Sequence, residues 1–89
     1  MLFLLTSHTR PGLGAEQYGQ LAALAKSFYA SIPADVTIRG EWAAVDRSVN
    51  YSLLEAPDID VVRRIQAPFA PFADTTIVPV NSITGWTAS

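Results

Sequence analysis

The apolar residues of this chain recur at two different periods, and the order in which those periods alternate leaves few folds open. Leu2 to Thr6 is a short apolar run that stops at polar Ser7-His8-Thr9 and is cut by Arg10-Pro11-Gly12, which reads as a buried strand. Between Glu16 and Ser31 the period lengthens. Tyr18, Leu21, Ala25, Phe28 and Ile32 return at three- and four-residue steps with Leu24 beside them, while Gln17, Gln20 and Lys26 fall elsewhere. This predicts an amphipathic helix of about four turns, ended by Pro33 because the residue before a proline is pushed out of the helical region. Val36 to Ala44 then alternates with strand periodicity, Asp46-Arg47-Ser48 turns, and Val49 to Glu55 returns as a second strand. Pairing Ala44 with Val49 sets Trp42 opposite Tyr51 and Glu41 opposite Ser52, and a one-residue slip would change every partner. Pro57-Asp58 opens a second helix with Asp58 as N-cap and Ile59, Val62 and Ile65 as its apolar stripe. Pro68 closes that helix, and Pro71-Phe72 leads to a last strand over Thr75 to Val80. Asn81 to Ser89 forms a tail in which Trp86 stands out.

The order β-α-β-β-α-β defines an α+β class fold, the ferredoxin-like split βαβ arrangement, with a four-stranded antiparallel sheet and two helices on one face. No repeat, linker or low-complexity tract interrupts it, so residues 1–89 read as one domain. Composition sharpens the picture. Hydrophobic residues make up 49% of the chain and charged ones 16%, against about 25% charged in an average domain. A chain of this length buries only about two-thirds of the surface its unfolded form exposes. The second sheet face has no cover within the chain, and a second copy packed on it would absorb the apolar excess. A homodimer is therefore expected, with a larger assembly of dimers as an extension.

Charge and residue usage exclude several functions. The net charge is −2 and the six Lys and Arg are scattered, so no basic run exists to neutralise a nucleic acid backbone. Nor does a polybasic patch accompany an amphipathic helix, which argues against a membrane surface. The apolar start at Met1 to Leu5 is too short for a membrane span and lacks the charged segment of a signal peptide. There is no cysteine and one histidine, which leaves no metal-ligand set and no thiol chemistry. A cytoplasmic protein without a cofactor is expected. Gly12-Leu13-Gly14 precedes a helix, but no Lys-Ser/Thr follows and no full glycine fingerprint is present, so it carries no phosphate reading.

Five side chains can carry chemistry. His8 is the sole group with an unperturbed pKa near neutrality, placed at the end of the first strand; its bland alternative is a surface histidine in a polar loop. Glu41 lies mid-strand, where partial burial would raise its pKa into a useful range, unless a salt bridge to Arg39 or Arg47 holds it. Arg39 offers a planar fork for a substrate carboxylate. Trp42 and Tyr51, neighbours across the hairpin, suit a flat conjugated ligand, with the Tyr51 hydroxyl as a proton donor; the competing reading is a core aromatic pair.

Three stretches carry a family likeness. Met1-Leu2-Phe3-Leu4 is an opening strand; Trp42, Val45, Arg47 and Asn50-Tyr51-Ser52 follow a W-x-x-V-x-R-x-x-N-Y-S pattern; Pro68, Pro71-Phe72, Asp74, Ile77 and Pro79 follow P-x-x-P-[YF]-x-D into the last strand. In these stretches, about half of the chain, the sequence resembles the muconolactone isomerase family of small dimeric α/β-barrel proteins. A second likeness, Gly40-x-Trp42 with Glu55-Ala56-x-Asp58, is to other small proteins of the same fold. The resemblance implies cofactor-free proton transfer on an unsaturated lactone, polyketide or related conjugated compound. The family's Arg-Glu pair in the first helix is replaced here by Leu24-Ala25-Lys26-Ser27, and its C-terminal His-Pro by Ile83-Thr84-Gly85-Trp86. The expected function is thus an isomerase or cyclase acting on another small molecule. A non-catalytic ligand-binding or accessory role and a cofactor-free monooxygenase are the alternatives, since fold alone decides none of them.

Overall fold

Two central strands hold the sheet together, and the sequence explains which they are. In the computed structural model, which describes residues 1–83, β1 spans Leu2–Thr9, α1 Ala15–Ala30, β2 Thr37–Ala43, β3 Val49–Glu55, α2 Ile59–Gln66 and β4 Ala73–Val80, with a 3-10 turn at Ala67–Phe69 between the last two. The sheet order is β2-β3-β1-β4 and every pairing is antiparallel. This is the ferredoxin-like α+β fold. The edges are β2 and β4, and Pro79 sits on the latter, where a missing N–H is tolerated. Trp86 lies outside the described residues.

β1 runs three residues beyond the apolar segment. Ser7, His8 and Thr9 stay in the sheet because β4 supplies a ladder partner to each of them, Thr75, Asp74 and Ala73. A central strand needs hydrogen bonds on both sides more than it needs apolar side chains. His8 is therefore a strand residue and not part of a polar loop. The extra length of β4, which starts at Ala73, has the same cause.

Both helices form where the periodicity places them. Asp58 caps α2, its Oδ1 accepting from the Val61 N–H at 3.0 Å, and Gln17 reaches back from the first turn of α1 to accept the Gly14 N–H at 2.9 Å. Asp58→Ala is expected to cost about 1 kcal/mol through loss of the cap. A lowered urea midpoint at unchanged slope would register it.

The core lies between the sheet and α2. Phe3, Leu5, Leu54, Val36, Ala56 and Val62 are buried, with Ile32, Ile38, Ile59 and Ile65 packed around them. No α1 side chain is fully buried; Leu21, Leu24, Ala25 and Phe28 are half-buried, and Tyr18 faces solvent. The space between α1 and the sheet is thus only partly filled. Strand alternation puts Leu2, Leu4, Leu53 and Val80 on the opposite, helix-free face, and Val78 there is 44% exposed.

The hairpin closes in the predicted register, with Glu41 opposite Ser52, Trp42 opposite Tyr51, and the Ala44 N–H on the Val49 carbonyl at 2.8 Å. Asp46 Oδ1 accepts from both the backbone N–H and the hydroxyl of Ser48, and these bonds hold its carboxyl below the usual value. Arg47 takes the left-handed conformation at φ 64°, so its place in the turn is set by backbone geometry.

Strict alternation along β2 does not survive. Ile38 pairs with Leu54 and Gly40 with the next residue, Leu53, leaving Arg39 as an inserted residue in a β-bulge. Before the bulge Ile38 packs on the helix side; after it Glu41 takes that side and Trp42 the open one. Gly40 permits this. A Cβ there would sit 2.4 Å from the Trp42 ring, so the indole lies over the glycine on the open face.

Candidate functional site

A cleft of about 410 Å³ occupies the space that α1 leaves unfilled, within the ~300–1,000 Å³ typical of small-molecule sites. The sheet forms its floor in rows read off the register. Ser52 and Glu41 make one row; Thr75, Ser7, Asn50 and Ala43 make the next. The floor therefore passes from apolar at Ile38 and Leu54 to hydrogen-bonding at Ser7 and Asn50. Ser7 Oγ and Thr75 Oγ1 lie 3.0 Å apart and share a hydrogen bond. Leu21, Ala25 and Phe28 of α1 form the roof, and Phe69 from the 3-10 turn closes one side, its ring edge-on to Phe28 at 6.1 Å.

Glu41 enters this cleft because of the bulge, and there it accepts a hydrogen bond from the Tyr29 hydroxyl of α1. Partial burial, then the bond to Glu41 and its negative charge, push the Tyr29 phenol up from 10.0 to about 12. The phenol stays protonated at neutral pH and is a standing donor beside a carboxylate. Neither Arg39 nor Arg47 is the Glu41 partner. Arg39 instead donates to Glu55, on the open face.

The five expected residues are divided between the two faces. Glu41 alone projects into the cleft. Trp42 and Tyr51 border it where the rim crosses the hairpin, but alternation turns their side chains to the open face, where they are 56% and 38% exposed. His8 also belongs to the open face, in the row of Val49 and Asp74. The proton pair expected of His8 and Glu41 therefore does not form within one chain. Nor does Arg39 reach the cleft; it follows Ile38, so alternation leaves it on the open face with Glu55. His8 and Arg39 are themselves separated by about five residues of β3, roughly 17 Å.

Tyr29 was not among the expected residues, although Leu21, Ala25 and Tyr29 recur at four-residue steps on one helix face. Ser7, Asn50, Ser52 and Thr75 carried a second unused signal. They are polar residues at positions that continue the inward-facing set Phe3, Leu5 and Leu54.

Fold and site together define the class: a small ferredoxin-like α+β domain with a ligand-sized cleft between its sheet and its helices. The chain belongs to the family described as domain of unknown function (DUF3303), which matches residues 1–88. Among solved structures it is similar to SCO4226 from Streptomyces coelicolor A3(2), with 22% identity and a TM-score of 0.49, over 90% of this chain and 99% of that one. No curated protein matches it.

Proposed function

We propose that the protein is a cofactor-independent isomerase or cyclase that moves a proton on a small conjugated compound held in the helix-side cleft. The observation that carries this reading is the solvent-exposed Tyr29–Glu41 hydrogen bond in the lining of a cleft of ligand size. The reading also draws on the likeness of the hairpin and last strand to the muconolactone isomerase family. Glu41 is the base. Its carboxylate removes a proton from carbon next to, or conjugated with, a carbonyl. Tyr29 turns its hydroxyl from Glu41 to the carbonyl oxygen, where negative charge develops, and Ser52 and Asn50 orient the ligand from the floor. Glu41 then returns the proton at a different carbon. The double bond has shifted, no atom is lost and no oxidant is needed.

The open sheet face supports the second part of the reading, a homodimer. Leu2, Leu4, Leu53, Val78 and Trp42 give that face an apolar surface with no cover among the described residues. His8, Arg39 and Tyr51 then belong to the dimer surface. Sizing by light scattering at micromolar concentration is expected to give twice the chain mass, and a folded monomer there would refute the dimer. A cytoplasmic location completes the proposal. Among the described residues, no helix is long and apolar enough to cross a membrane.

Replacement of the family's Arg-Glu pair by Leu24-Ala25-Lys26-Ser27 favours one other reading, a ligand carrier without turnover. Multiple turnover of an unsaturated lactone or polyketide by the purified protein, abolished in Glu41→Gln and retained in His8→Ala, distinguishes the two. Stoichiometric binding without turnover would establish the carrier.

A further inference from the structure

Among the described residues, the side chains lining the cleft include one carboxylate, Glu41, and no Lys, Arg or His. Residues 84–89 contribute no Lys, Arg or His either. Each of the six Lys and Arg is placed elsewhere. Arg39 is held by Glu55 on the open face, Arg47 sits in the hairpin turn, and Lys26 and Arg64 are exposed on their helices. Arg10 and Arg63 border an adjoining groove that meets the cleft at Gln66, Ala73 and Thr75. Both are exposed and ion-paired, Arg10 with Asp74 at 2.8 Å and Arg63 with Asp60 at 3.5 Å, and neither lines the cleft. The remaining polar groups of the cleft are hydroxyls and amides, neutral donors that hydrogen-bond an oxygen but bring no opposite charge to balance a second full negative charge.

We propose that the cleft selects uncharged conjugated compounds bearing hydroxyl or carbonyl oxygens and rejects carboxylates and phosphates of the same size. This rests on the cleft being the ligand site. Rejection follows from two costs that act together. An anion entering the space loses water, and it meets the Glu41 carboxylate without a cation to offset either penalty. Specificity here comes from the repulsive element as much as from the aromatic and aliphatic roof. The assignment also gives the bulge a meaning. Arg39, which follows Ile38, stays on the open face with Glu55, while the bulge brings Glu41 alone to the helix side.

The test is a pair of titrations of the isotope-labelled full chain at pH 7, followed by amide NMR shifts. The probes are 2-naphthol, neutral at that pH, and 2-naphthoate, an anion on the same ring system. The expected result is that 2-naphthol shifts the amides of Ser7, Phe28, Ser52 and Thr75, while 2-naphthoate binds at least tenfold more weakly. In Glu41→Gln the gap is expected to fall below threefold. Equal or tighter binding of 2-naphthoate at those same amides overturns the selectivity and leaves the ligand site standing. A gap unchanged in Glu41→Gln overturns the role given to Glu41. Absence of shifts at these amides with both probes overturns the ligand site itself, and the selectivity with it. The wild-type comparison decides the main point without the variant.

Discussion

Phe3→Ala is expected to destabilise the fold by about 3–5 kcal/mol, the range for deleting a fully buried phenylalanine. Phe3 has no exposed surface and lies in the central strand, flanked by Leu54 on β3 and Pro79 on β4 and roofed by the apolar face of α2. Nothing nearby can collapse into the space, because both neighbouring strands are fixed by ladder hydrogen bonds. Domains of this size have total stabilities of about 5–10 kcal/mol. The variant should therefore lose a third or more of its urea midpoint, and it should be partly unfolded at 37 °C. Leu5→Ala at the next inward position is expected to fall in the 2–5 kcal/mol range for the same reason. A loss below 1 kcal/mol at Phe3 would mean that the core is not centred where the sheet meets α2.

Glu41→Gln is expected to lower turnover by about 10²–10⁴-fold, the usual contribution of a positioned general base. The amide keeps the shape of the side chain and can still accept a hydrogen bond from Tyr29, so binding should change far less than turnover. Tyr29→Phe removes the donor and leaves the base. Its loss is expected to be about 10- to 100-fold, smaller because Ser52 and Asn50 still offer hydrogen bonds to the substrate oxygen. His8→Ala should leave the rate unchanged, since His8 lies on the other sheet face. Rates measured on one substrate for all three variants check the ordering. A His8 variant as impaired as the Glu41 variant would move the chemistry to the open face.

Most of the architecture could be read from periodicity, because the two periods are set by backbone geometry and the sequence obeys them over long stretches. The hairpin register followed from the turn at Asp46-Arg47-Ser48, and it places Trp42 opposite Tyr51 as expected. The cap at Asp58 was visible as a single residue type at a helix start. The end of β1 was not visible. Ser7, His8 and Thr9 look like a loop until β4 supplies their partners, and those partners lie some 65 residues away in sequence.

The site was less legible, and the reason is one residue wide. Counting by twos through β2 places Ile38, Gly40 and Trp42 on a common face and Arg39 with Glu41 on the other. The bulge at Arg39 and Gly40 breaks that count, so Arg39 and Glu41 part company and Trp42 leaves the side of Ile38. An isolated glycine within a strand pattern is a known sign of a bulge or of a close approach. Here it marks both, since the Trp42 ring covers the position its Cβ would take. Tyr29 escaped for a different reason. Its partner Glu41 comes from another element, and no helical periodicity reports which strand residue a helix will meet.

The central claim is that Glu41 faces the helices and holds the Tyr29 phenol, and a tyrosinate absorbance titration tests it most directly. A phenol whose folded-state pKa is raised contributes stability that is intact below its unfolded value near 10 and is lost as pH climbs toward about 12. The wild-type protein is expected to show an ionisation step at about pH 12 that is absent in Tyr29→Phe and moves downward in Glu41→Gln. A Tyr29 step at the ordinary phenol position, with no response to Glu41→Gln, would contradict the account.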